Sequence, residues 1–134
     1  MPNVLEPQEE ATILAFVVKE RRERFLTLLS NPKHRRKVTA SLAHPNLGWF
    51  DSRCVKSIPP SQSGKEGIAS ILRAKGAGKT CWAISEDRKL DAKEFDLESV
   101  LAEIVGCGMG TILSCVPGKL AYVESEDSRF ILER

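Results

Sequence analysis

From Thr80 to Glu133 the chain is a succession of short apolar runs cut by turn residues, and that rhythm limits the fold more than any other feature. Thr80 to Ser85 is bounded by Gly78 and by Glu86-Asp87, so it reads as a strand. Met109 to Val116, Lys119 to Glu124 and Arg129 to Glu133 read the same way. Pro117-Gly118 between two of these runs suits the central positions of a type II turn, whose second residue needs a positive φ. Before Met109, Asp96 is placed to cap a helix carrying Leu97, Val100, Leu101, Ile104 and Val105, with Gly106 at its C-terminal end.

The first part of the chain is helical in pattern. Pro7 fits a first helical position, and Glu9 and Glu10 put negative charge at the positive end of the helix dipole. Leu14, Val17, Val18, Phe25, Leu28 and Leu29 follow at helical steps and predict one long helix, interrupted on its stripe by Arg21. Asn31-Pro32 ends it and opens a second helix, Lys33 to about Ala43, which His44-Pro45 stops. Residues 45–62 are irregular, with Cys54 to Ile58 as a short edge strand. Ser63-Gly64-Lys65-Glu66 then reads as a capping box for a helix holding Ile68, Ile71 and Leu72.

These elements predict an α+β fold: an N-terminal helical hairpin and further helices packed on one face of a C-terminal antiparallel β-meander of about four strands. The 134 residues suit a single domain, with a basic helical part at about 7–44 and a sheet-rich part at about 79–134. No apolar run approaches the ~20 residues of a membrane span. The first residues lack a basic n-region, and Cys54, Cys81, Cys107 and Cys115 form no close pair, so free thiols in the cytoplasm are the expectation.

Charge carries the functional signal. Residues 1–83 hold 14 Lys and Arg against 7 Asp and Glu, whereas residues 84–134 hold 6 against 11. The excess is densest from Lys19 to Lys37. Such segregation points to an anionic partner, or to two opposite faces of the chain that meet each other. The candidate binding residues are Arg21, Arg22, Arg24, Lys33, Arg35, Arg36 and Lys37. A protein is the first choice of partner. Nucleic acid is second, because only Trp49 and Phe50 could stack on bases. Self-association is a third.

Several motifs tempt and fail. Gly76-Ala77-Gly78-Lys79-Thr80 resembles the end of a phosphate-binding loop, but Arg73 stands where the first glycine belongs, and the order is helix then strand. Gly106 to Gly110 is also glycine-rich and also runs from helix to strand, the reverse of a dinucleotide fingerprint. Asp87-Arg88-Lys89 has the acid-x-lysine form of metal-dependent nucleases, with only Asp51 available as the second acid. His34 and His44 have no ligand partner at a metal spacing. No cofactor and no metal is therefore expected. The leading expectation is a non-catalytic cytoplasmic binding or regulatory module. The alternative is a small enzyme acting on a phosphorylated or nucleic-acid substrate, with Asp87, Lys89 or Cys107 near its site. A subunit whose sheet edge is completed by another chain is the third.

Overall fold

The computed structural model describes residues 6–44 and 47–134. The opening residues, and Pro45 as a helix stop, lie outside the described residues. In chain order the elements are α1 (Pro7–Phe16), α2 (Lys19–Ser30), α3 (Arg36–Thr39), β1 (Val55–Ser57), α4 (Lys65–Ala74), β2 (Thr80–Ser85), β3 (Lys93–Asp96), α5 (Leu97–Ile104), β4 (Thr111–Val116), β5 (Leu120–Glu124) and β6 (Arg129–Glu133). Short 3-10 segments fall at Ala40–Ala43, Leu47–Trp49 and Pro60–Gln62. The strands form one antiparallel sheet in the order β1-β6-β5-β4-β2-β3.

The α+β class and the strands at 80–85, 120–124 and 129–133 stand as expected, and the sheet has six strands rather than about four. Of its two edges, β1 lies within the short edge strand expected at Cys54 to Ile58, and β3 is unforeseen. At the turn between β4 and β5, Gly118 has φ 73° and the Lys119 amide donates to the Val116 carbonyl at 2.9 Å, as the Pro-Gly pair requires. Asp96 caps α5, its carboxylate accepting the Ser99 amide at 3.0 Å.

Helices cover both faces of the sheet, not one. A strand sends successive side chains to opposite sides, and here both parities are apolar. Ile84, Ile112, Ala121, Val123, Phe130 and Leu132 join Ile13, Phe16, Phe25, Leu29, Val38 and Leu42 of the N-terminal helices. Their neighbours Ala83, Leu113, Tyr122 and Ile131 join Ile68 and Leu72 of α4 and Leu97, Val100, Leu101 and Ile104 of α5. Each fully buried apolar side chain contributes on the order of 1.5–3 kcal/mol. The sheet is therefore the shared wall of two cores, and neither helical layer is dispensable.

The expected long first helix is broken. Between α1 and α2, Val17 and Val18 are extended. Val17 bridges to Phe50, the Val18 amide donates to the Trp49 carbonyl at 2.8 Å, and the Asp51 amide donates to the Phe16 carbonyl at 2.8 Å. The break rotates α1, so Ile13 and Phe16 are buried while Leu14, assigned to the apolar stripe, is 46% exposed. The capping box also fails: Gly64 is the residue before α4, no side chain caps it, and the Ser63 hydroxyl donates to the Pro60 carbonyl instead.

Candidate functional site

The basic segment spans α2, the turn after it, and α3. Amphipathic packing orients it: Phe25 and Leu29 turn inward from α2, and Val38 and Thr39 from α3. Arg21, Arg24, Lys33, Arg36 and Lys37 are left exposed, and among the described residues none of them enters an ion pair. Arg22 is half-buried and its Nε donates to the Val17 carbonyl at 2.8 Å, holding the α1–α2 break.

Arg35 differs in kind. Its Nη1 and Nη2 donate to Glu9 Oε1 and Oε2 at 2.7 and 2.5 Å. Its Nε and Nη2 donate to Asp91 Oδ2 and Oδ1 at 2.6 and 3.0 Å. Glu9 Oε2 also accepts the Trp82 indole N–H at 2.8 Å, and Asp91 Oδ1 accepts the Ser85 amide at 3.0 Å. Burial alone would pull the Arg35 pKa down; the hydrogen bonds to Asp91 and Glu9 outweigh it and push the pKa above the ordinary arginine value. This cation ties α1, the start of α3 and the β2–β3 turn together. The meeting of basic and acidic halves, foreseen as an alternative to an external partner, occurs within this segment at Arg35 alone.

The charged groups of the acidic half are largely taken up internally. Glu124, buried at the end of β5, accepts the Tyr122 hydroxyl at 2.5 Å, the Gly106 amide at 3.1 Å and the Gly108 amide at 3.5 Å, and pairs with Arg129 Nε at 3.2 Å. Burial, with the Glu124 carboxylate beside it, pushes the Tyr122 phenol well above its usual range. The glycine loop thus serves to clasp a carboxylate of its own chain. A cavity of about 370 Å³ opens beside it, lined by Gly106, Gly108, Glu124 and Ser125 to Arg129. At the same end of the sheet, His44 Nδ1 lies 2.6 Å from Asp127 Oδ2 and Nε2 lies 3.1 Å from Glu126 Oε2. Elsewhere Glu133 pairs with Lys75 and Glu98 with Arg73.

The remaining motifs resolve into structural roles. Residues 76–79 are the connection from α4 into β2, in the order that does not cradle phosphate. Asp87 Oδ1 accepts the Lys89 amide at 2.9 Å in the turn after β2, a side-chain-closed turn. Asp51 sits beyond the opposite edge, before β1, with Arg53 Nη2 at 2.8 Å from its carboxylate. The hydrogen bond from Arg53 holds the Asp51 carboxyl down at about 2. Cys107 is exposed in the α5–β4 loop, at the same end of the sheet as Asp87 and Lys89, but no hydrogen bond or ion pair among the described residues joins it to either. Cys54, Cys81 and Cys115 are buried, and none of the four cysteines is paired. No group of three or more metal-ligating side chains occurs among the described residues. Of the aromatic pair that could have stacked on bases, Phe50 is buried against Phe130, and Trp49 packs edge-on to Phe25 at 5.6 Å.

Compared with protein-family models, curated proteins and solved structures, the chain matches none.

Proposed function

We propose that the chain is a non-catalytic binding module of regulatory type, whose α2–α3 face receives an acidic surface of a protein partner. One observation carries this reading: Arg21, Arg24, Lys33, Arg36 and Lys37 lie exposed and form no ion pair among the described residues, while Glu9, Asp91, Glu124, Glu126, Asp127 and Glu133 pair with other groups. Clustered like charges repel one another in the free protein and are relieved by an anionic partner, which also speeds encounter. A protein is favoured over single-stranded nucleic acid because Phe50 is buried and Trp49 is partly covered by Phe25, leaving little aromatic surface for stacking. Unpaired cysteines suit a reducing compartment, and the cytoplasm is the proposed location. No helix among the described residues is long and apolar enough to cross a membrane.

The test is affinity capture from the source cells at low and moderate salt, after nuclease treatment, with the wild-type chain and a variant carrying Arg21→Glu, Arg24→Glu, Arg36→Glu and Lys37→Glu. The reading expects a protein that survives nuclease, is lost as salt rises, and is not recovered by the variant. Unchanged recovery by the variant would overturn it, and recovery of nucleic acid alone would show the partner class to be wrong.

A further inference from the structure

We propose that the open edge of β1 is a second, separate docking site, which takes an extended acidic segment of a partner protein as a seventh strand. The hydrogen-bond parity defines the vacancy. β1 pairs with β6 in the register Val55↔Leu132, Lys56↔Ile131, Ser57↔Phe130, and the Glu133 amide donates to the Cys54 carbonyl at 2.9 Å. Cys54 and Glu133 are therefore a hydrogen-bonded pair, and alternation makes Lys56 and Ile131 the next one. The N–H and C=O of Ser57 and the C=O of Val55 then point away from β6, to the side where no other strand lies among the described residues. An edge of this kind is a template for strand addition, with the main chain supplying affinity and flanking side chains supplying choice.

The flanking charge selects the occupant. Lys56 and Ser57 are exposed, Arg53 is 84% exposed, and a cavity of about 410 Å³ beside them is lined by Asp51, Arg53, Cys54, Lys56, Glu133 and Arg134. Both acids there are already paired, Asp51 with Arg53 and Glu133 with Lys75. Among the described residues the Lys56 and Arg134 side chains form no ion pair and donate to the carbonyls of Arg53 and Ala15, so the residual charge is positive. A second copy fits poorly: in the antiparallel register that uses both Val55 and Ser57, Lys56 would face Lys56. The other open edge, β3, carries Glu94 and Asp96 beside Lys93 and would repel an acidic strand.

The experiment uses a nine-residue peptide of alternating valine and glutamate, and its counterpart with lysine for glutamate, titrated into the isotopically labelled full chain and followed by NMR with amide hydrogen exchange. The glutamate peptide should shift the Val55–Ser57 amides and slow exchange at Ser57 about tenfold or more, while the lysine peptide does neither. Ser57→Pro removes an outward-facing donor and leaves the β1–β6 ladder intact, since proline is tolerated on the solvent side of an edge strand; it should abolish the effect. Lys56→Glu, which leaves the backbone alone, should exchange the preference for the two peptides. Shifts confined to α2 and α3, or no shift at all, would overturn this proposal. Shifts at β1 that persist in Ser57→Pro would do the same. The α2–α3 reading is scored independently by the Arg21, Arg24, Arg36 and Lys37 signals.

Discussion

Glu9 and Arg35 meet through both carboxylate oxygens and both terminal guanidinium nitrogens, at 2.7 and 2.5 Å, across 26 residues of sequence. Glu9 is 1% exposed and Arg35 15%, so each depends on the other for solvation. Removing one member of such a pair leaves a buried charge uncompensated, at a cost of about 3–5 kcal/mol. Arg35→Ala should lose that much stability in urea denaturation, whereas Arg36→Ala, one residue on and exposed, should stay within about 0.5 kcal/mol of wild type. Equal effects from the two substitutions would contradict the assignment of Arg35 to the fold.

His44 supplies the pH dependence. The hydrogen bond to Asp127, then its charge and those of Glu126 and Glu86, raise the imidazole pKa above 6.5. Because the folded pKa is the higher one, the stabilisation is fully present below about 6.5 and is lost as pH rises through the folded value. NMR titration should place His44 above the ordinary histidine value, and Asp127→Asn should lower it. The stability difference between wild type and His44→Asn should shrink as pH rises; a difference that grows with pH would reverse the sign of the argument.

Gly110 lies against the 3-10 segment of the N-terminal layer. A Cβ there would collide with the backbone of Leu42 and Ala43, which cannot yield as a side-chain tip would. Gly110→Ala should therefore cost about 3 kcal/mol or more. Gly78→Ala, with open space around it, should remain within about 0.5 kcal/mol. Thermal unfolding of the two variants checks the pair.

The thiols should separate by accessibility. In the native protein iodoacetamide should modify Cys107, while Cys54, Cys81 and Cys115 stay protected until the chain is unfolded. Burial pushes the Cys81 thiol up to about 12 and Cys115 further still, so neither supplies thiolate near neutral pH. Mass spectrometry of the native adduct would contradict this by showing label on Cys81 or Cys115.

Much of the fold was legible because β5, β6 and α5 carry local signals: period, a cap at Asp96, a Pro-Gly turn. What escaped was set at a distance. Phe16-Val17-Val18 continues an apolar pattern, and only the bridge to Phe50 shows that the helix stops there. Lys93 to Asp96 is mostly exposed at the sheet edge and has no apolar alternation to announce a strand. The consecutive apolar residues of β4 were the available sign that both faces of the sheet are covered. At the candidate site, six of the seven basic residues form no ion pair among the described residues. Arg35 looked the same as Arg36 in sequence because its partners, Glu9 and Asp91, lie 26 and 56 residues away.

We propose a division of labour in which Arg35 holds the fold and its exposed neighbours meet the partner. Binding of polyglutamate by an Arg36→Glu/Lys37→Glu variant, measured calorimetrically at low and moderate salt, tests it most directly. Wild type should bind at low salt and weaken as salt rises, and the variant should lose about tenfold or more in affinity while keeping its urea midpoint. A variant that binds polyglutamate as tightly as wild type would contradict the account.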